Sequence, residues 1–424
     1  MLRSRAPPRG GPSNRRSTLR GARRLLEIYD SRTRQTVPFT PVEPGVVRLY
    51  VCGVTPYDVG HLGHARTFVF FDVVRRYLEF QAYEVRHIQN ITDVDDDMVR
   101  VSRAEGVSIA ELTERNHRIH LREMDALNVL RPQAFPLASE HIPGIIAMVE
   151  RLVASGHAYV VDGHVFFDTT TTPRFGALSG LDRDALRTFR NDSMPDEPEH
   201  LKRDSLDFLI WQPSTAEGAS FDSPWGRGRP GWHIECSVMA QSMLGPRIDI
   251  HGGGSDLAYP HHDCEIVQSE AASGEAPFVG TWMHVGTLQL EHVKMSKSLG
   301  NLVKVSELLA QGHSPDAIRL YLLSAPYREA HNFETRELED YERRAAALRS
   351  ALDAPGGPAD LLRVQAARNE FQAAMDDDFD TAGASEVLER IASDLEAGRL
   401  QRETARPTLI ELADVLGLRL GQEG

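Results

Sequence analysis

A Rossmann-like α/β catalytic domain, its doubly wound parallel sheet interrupted by an insertion and followed by a C-terminal helical bundle, is the architecture that three features of this 424-residue sequence predict. A β-rich run from Val47 to Cys52 passes through a loop into a stretch with apolar residues at helical spacing (Phe68, Phe71, Val74, Tyr77, Leu78), then into a second β-rich run, Tyr83 to Ile88. Strand, helix, strand in that order implies a parallel pair joined by a crossover. Another strand signal, Ile248 to His251, runs into Gly252-Gly253-Gly254, expected to be a flexible loop. From Glu334 onward the pattern is helical, broken at Pro355-Gly356-Gly357-Pro358.

Taken in order, residues 1–24 hold eight arginines and no acid among Pro, Gly and Ser, which predicts a disordered basic arm. An RNA contact and a start site lying further along the chain are both open readings of it. A catalytic domain is expected over 25–330, with helices through 100–160, the clearest from Ile142 to Ser155. About 161–225 the chain becomes rich in Thr, Pro, Asp and Gly, the mark of an inserted segment. A helical domain over 331–424 completes the chain, and its acidic cluster, Asp376 to Asp380, reads as a solvated face.

Composition narrows the function. The chain is 41% apolar and 25% charged, ordinary for a globular protein. No apolar run is long enough to span a membrane, and the first residues lack a secretory core. Three cysteines cannot make a disulfide framework, so a reducing compartment, the cytoplasm, is expected, with thiols free for metal or chemistry. A net charge of −14 disfavours broad nucleic-acid binding but leaves room for a local basic groove. A monomer is the default expectation.

Two motifs carry the chemistry. His61-Leu62-Gly63-His64 lies where a strand hands over to a helix, the place where α/β sheets bind ligands. A helix N-terminus suits phosphate, Gly63 lets an adenine ring approach the backbone, and two imidazoles can donate to phosphoryl oxygens. Far downstream, Lys294-Met295-Ser296-Lys297-Ser298 offers two mobile cations for a phosphoryl transition state. Either motif alone is commonplace. Together they are the signature of class I aminoacyl-tRNA synthetases, which this chain resembles.

Within that class the likeness is to cysteinyl-tRNA synthetases, through Tyr50-Val51-Cys52-Gly53, Asn90-Ile91-Thr92-Asp93, Gly228 to Ser237, His251 to Asp256 and Pro260-His261-His262. The likeness covers roughly residues 25–390. It implies that Cys52, Cys236, His261 and Glu265 hold one Zn²⁺ per chain. Two thiolates, an imidazole and a carboxylate form a plausible tetrahedral set, and the four-residue step from His261 to Glu265 puts both on one helix face. Zinc prefers thiolate over alcohol, so cysteine could be chosen over serine without an editing domain. Cys264 matches no ligand and reads as a core thiol.

The same resemblance places Thr55, Thr92 and Trp232, with Cys52, around the substrate cysteine. It puts Gly254, Ser255 and Asp256 at the ribose of ATP, which enters with Mg²⁺. His61, His64, Lys294 and Lys297 become the catalytic groups, and His61, Gly63, His64 and Lys297 also hold ATP. Asp97 departs from the pattern, because synthetases usually place a basic residue after Asp95-Asp96. The implied reaction is attack of the cysteine carboxylate on the α-phosphate of ATP, followed by transfer to tRNA(Cys). An alternative acceptor exists, since mycothiol cysteine ligases share this catalytic domain and pass cysteine to glucosaminyl-inositol. Thr55-Pro56-Tyr57-Asp58, His61-Leu62-Gly63-His64-Ala65 and the short stretch after the lysine motif lean that way. Glu265, Arg66-Thr67-Phe68 and Cys264 to Ser269 lean towards tRNA.

Overall fold

The structure, a computed structural model, describes residues 25–190, 197–295 and 300–420. Its centre is a four-stranded parallel sheet in the order 279–285, 248–254, 46–54, 84–91. The strands are covered on both faces, which is why Val46–Val54 reads as an almost unbroken apolar run. The crossover helix Leu62–Phe80 buries Phe68, Val69, Phe71, Val74, Tyr77 and Leu78 against that sheet. The chain leaves Val46–Val54 towards one edge and returns at Ile248–Gly254 on its other side. A crevice therefore opens beyond the carboxyl ends of these two strands, at the switch point of the fold.

One expectation is corrected here. Gly252, Gly253 and Gly254 are not a flexible loop but the last residues of the strand Ile248–Gly254, in register with Met283, His284 and Val285. A Cβ on Gly252 would lie 2.0 Å from the Phe71 ring. The glycine is there for close packing of helix on strand, not for mobility.

An antiparallel sheet of 158–161, 164–167, 208–213 and 228–230 is inserted between the halves of the parallel sheet. It shares a core with the helices Ile142–Ala154, Trp232–Leu244 and Asp263–Ser273 through Ile145, Met148, Phe167, Phe208, Trp211 and Ile234. A small sheet of 288–290, 293–294 and 331–333 leads into and out of the lysine segment.

Helices Thr335–Ala351, Leu361–Met375, Thr381–Glu396 and Arg402–Val415 form the C-terminal bundle. Its core runs without a break into that of the parallel sheet. The acidic cluster at its front is a solvated face only in part, since Asp377 and Asp380 are exposed while two of its members turn inward. Asp376 is buried and accepts from the Tyr77 hydroxyl at 2.6 Å, and Asp378 accepts from the Tyr29 amide at 2.8 Å and from Arg328 at 2.8 Å. These carboxylates dock the bundle on the catalytic domain. No helix of the described residues is long and apolar enough to cross a membrane.

Candidate active site

The histidine motif begins the crossover helix rather than merely preceding it. His61 is the N-cap, and its Nδ1 accepts from the Gly63 amide at 3.1 Å while His64 Nδ1 accepts from the His61 amide at 3.3 Å. The two imidazoles cap the helix reciprocally, as Ser and Glu do in a capping box. A Cβ on Gly63 would lie 2.8 Å from His61 Cε1, so the cap requires glycine there. An Nδ1 that accepts leaves the proton of a neutral ring on Nε2. The Leu62 amide is also taken, by the Val303 carbonyl at 2.7 Å. This helix end thus carries two mutually capped imidazoles, each with its Nδ1 accepting from a main-chain amide.

Cys52 lies near the end of the strand Val46–Val54, Cys236 sits just past the first turn of Trp232–Leu244, and His261 and Glu265 bracket the junction between the turn Ala258–His262 and the helix Asp263–Ser273. All four are buried and their donor atoms lie within 4.8 Å of one another. The Cys52 and Cys236 sulfurs are 3.9 Å apart, and His261 Nε2 lies 3.1 Å from Glu265 Oε1. For bond lengths of roughly 2.3 Å to sulfur and 2.1 Å to nitrogen or oxygen, a tetrahedral ion needs donor separations of about 3.8 and 3.4 Å. The donor set fits such an ion.

Its electrostatics agree. Burial would lower the His261 imidazole, but the Cys236 thiolate and the Glu265 carboxylate override it and raise it to about 10. Burial would likewise raise Glu265, yet His251 and His261 hold it down at about 2. The Cys236 thiol is lowered to about 6, chiefly by its hydrogen bond from Cys52, whose own thiol burial pushes up. Two buried anions thus share one protonated imidazole, a place where a divalent cation can take over the compensating charge.

Sequence reasoning missed a second set. Cys52 and Glu265 also meet His251 and His262, with Cys52 Sγ 3.3 Å from His262 Nε2 and His251 Nε2 3.1 Å from Glu265 Oε2. The doubled histidine 261-262 was the only signal. This second set has one thiolate against two in the first, so the softer site is the one the sequence pointed to. Cys264 is buried in the core and belongs to neither set. Outer contacts orient the rings: His233 Nδ1 lies 2.9 Å from His261 Nδ1, and Trp232 stacks on His261 with centroids 4.2 Å apart.

A cavity of about 510 Å³ joins these parts, with Cys52, Thr55, His61, Gly63, His64, Trp232, Gly254 and Asp256 on its wall. That volume suits a small substrate with a nucleotide. Thr92 and Ser255 are not on the wall: Thr92 is buried behind it, its amide donating to the Val54 carbonyl at 3.1 Å and its hydroxyl accepting from Asn90 at 3.1 Å. Asp97 pairs with Arg100, its neighbour in the helix, and Asp96 with Arg229. Lys297 lies outside the described residues, as does the side chain of Lys294, whose backbone closes the small sheet beside Met295. A second cavity, about 410 Å³, between two bundle helices is lined by opposed charges such as Arg344 and Glu389, and none of the predicted site residues is there.

The family described as tRNA synthetases class I (C) catalytic domain matches residues 38–343, and the DALR domain matches 370–421. A cysteine--tRNA ligase of Chromohalobacter salexigens is 43% identical over 405 residues, 94% of this chain and 86% of the relative. That of Klebsiella pneumoniae is 42% identical over 401 residues, 93% of this chain and 85% of the relative. Among solved structures, Mycobacterium tuberculosis methionyl-tRNA synthetase in complex with methionyl-adenylate superimposes with a TM-score of 0.60 at 17% identity, covering 88% of this chain and 89% of that one. A likeness so low in identity speaks for the fold alone.

Proposed function

The chain belongs to the cysteinyl-tRNA synthetase family, and from that premise we propose how its own residues carry the reaction. It is a ligase that joins cysteine to tRNA. In the proposed first step the cysteine carboxylate attacks the α-phosphorus of ATP, the bond to pyrophosphate breaks, and cysteinyl-AMP forms. A ribose hydroxyl at the end of tRNA(Cys) then attacks the acyl carbon and AMP leaves.

Cys52, Cys236, His261 and Glu265 would hold Zn²⁺. Bound there, zinc supplies a soft Lewis acid that keeps a thiol ionised and distinguishes it from an alcohol. Trp232, stacked on His261, walls the cysteine subsite, and Thr55 lines its approach. Thr92, behind the wall, positions that subsite through the Val54 backbone. Gly254 and Asp256 face the ATP portion of the cavity, where a carboxylate can accept from ribose hydroxyls, and Ser255 completes that turn. His61 and His64 donate Nε2–H to phosphoryl oxygens, and Lys294 and Lys297 neutralise charge as it builds on the leaving pyrophosphate, with Mg²⁺ accompanying ATP. Catalysis is positioning and charge stabilisation, with no covalent enzyme intermediate.

We place the division between catalytic and helical domains near residue 330, the protein in the cytoplasm, and its working form as a monomer. One observation carries the reading: Cys52, a member of a buried two-thiolate donor set, lines the same cavity as the histidine pair. The test is ATP–pyrophosphate exchange dependent on cysteine, followed by charging of either total tRNA or glucosaminyl-inositol with labelled cysteine. Exchange without added cysteine, or label on the sugar and not on tRNA, would overturn it.

A further inference from the structure

Two residues beyond His64, Arg66 is buried in the same helix at 1% exposure. It has no ion pair among the described residues. Instead its guanidinium donates to four main-chain carbonyls: Gly286 at 2.8 Å, Thr287 at 3.4 Å, Glu329 at 2.9 Å and Pro326 at 3.2 Å. These carbonyls come from two segments far apart in sequence. Gly286 and Thr287 lead into the strand Leu288–Leu290, and Pro326 and Glu329 precede its parallel neighbour His331–Phe333. The two roots touch. The Gly286 amide donates to the Tyr327 carbonyl at 2.7 Å, and a Cβ on Gly286 would lie 2.2 Å from the Glu329 carbonyl oxygen.

Four carbonyl dipoles converging in a buried place repel one another unless a cation sits between them. A planar guanidinium with five donors can meet all four, whereas an ammonium with three cannot. Burial lowers Arg66, but only to about 10, so it stays charged at neutral pH. The small sheet joined at these roots pairs Leu288–Leu290 with Val293–Lys294, where the lysine segment starts, and Val285 to Leu288 form one wall of the cavity.

We propose that Arg66 is a positioning residue for adenylate formation. From the helix that carries the histidine pair, it fixes the roots of the small sheet, so that the strand Val293–Lys294, where the lysine segment starts, keeps one spacing from that pair. This inference rests on the adenylate-forming reading above. Misplacement of reacting groups by about 1 Å costs on the order of 100-fold in rate.

The test compares the full chain with Arg66→Lys and Arg66→Gln in cysteine-dependent exchange. The expected result for Arg66→Lys is a fall in kcat of about 10- to 100-fold, with the KM for cysteine within about two-fold and the zinc content unchanged, because the cysteine end of the cavity does not touch Arg66. Hydrogen exchange should rise at 286–290 and 326–333 and stay constant in 46–54. A wild-type chain inert in the assay overturns the adenylate reading itself. An active wild type with an Arg66→Lys kcat within about three-fold of it, or with a parallel rise in the KM for cysteine, overturns the role of Arg66 alone. Global unfolding of both variants, seen as exchange rising throughout, also overturns it in favour of a purely structural role.

Discussion

At the scale of single residues, the candidate metal set shows how chemistry is written in residue type before it is visible in space. Cys52, Cys236, His261 and Glu265 are distant in sequence, yet each is a good zinc donor and their atoms meet. Replacing Cys236 by Ser should leave one thiolate where two are needed. The expected outcome is loss of bound zinc by elemental analysis, and exchange activity down by a factor of about 100 or more. Retention of a full equivalent of zinc with normal activity would mean that the ion is held elsewhere. His251 and His262 were not legible in this way, because a histidine in a strand or beside another histidine reads as core until its neighbours are known.

His87 makes a second prediction at this scale. It is 4% exposed, neither ring nitrogen has a partner, and burial lowers it to about 3. In the unfolded chain the ring takes up a proton near pH 6.5, while in the folded chain it stays neutral down to about pH 3. Between those values the unfolded state binds more protons, so this group makes stability fall as pH drops through that window. At pH 5 the gap is worth about 2 kcal/mol. His87→Leu should remove that slope, gaining more stability at pH 5 than at pH 7.5 in urea melts. An equal effect at both pH values would refute the argument.

At the scale of elements, the strands and helices of the sheet were legible because periodicity is a burial signal, and Val46–Val54 and Leu62–Phe80 are buried as their patterns imply. Where the reading failed, a tertiary contact had overridden a local rule. The glycine triplet is strand because Phe71 packs on Gly252, and Asp376 and Asp378 of the acidic run are docked because Tyr29, Tyr77 and Arg328 await them. Neither partner is near in sequence. The same logic governs Asp72 on the crossover helix, fully shielded between Arg319 at 2.7 Å and Arg76 at 2.9 Å. Arg319 in turn donates to the Leu416 carbonyl at 2.8 Å and to that of Leu127 at 2.7 Å, tying the bundle to the sheet. Asp72→Asn would leave two guanidinium groups facing each other in a dry interior, at a cost of about 3–5 kcal/mol. Denaturant titration measures this, and a loss below about 1 kcal/mol would show that water reaches the pair.

At the scale of the molecule, the donor set lies at a seam. Cys52 belongs to the first strand of the parallel sheet, while Cys236, His261 and Glu265 come from helices that pack under the inserted antiparallel sheet. The bundle is on the other side, continuous with the core of helix Leu62–Phe80 through Phe371, Leu388, Leu409 and Leu412. A cation that binds only the folded arrangement stabilises whatever its ligands join, and withdraws that stability when removed. Chelation should therefore act unevenly. With the ion gone, Cys236 and Glu265 keep buried negative charge with only imidazole to offset it, and the local remedy is for their helices to move apart from the strand. Hydrogen exchange after treatment with a strong chelator should rise across 158–167, 208–213 and 232–244, and remain unchanged across 361–375, 381–396 and 402–415. Restoring zinc should reverse it. Uniform deprotection would mean that the ion supports the whole fold rather than one seam, and no change at all would mean that histidine and hydrogen bonding suffice to close the site without it.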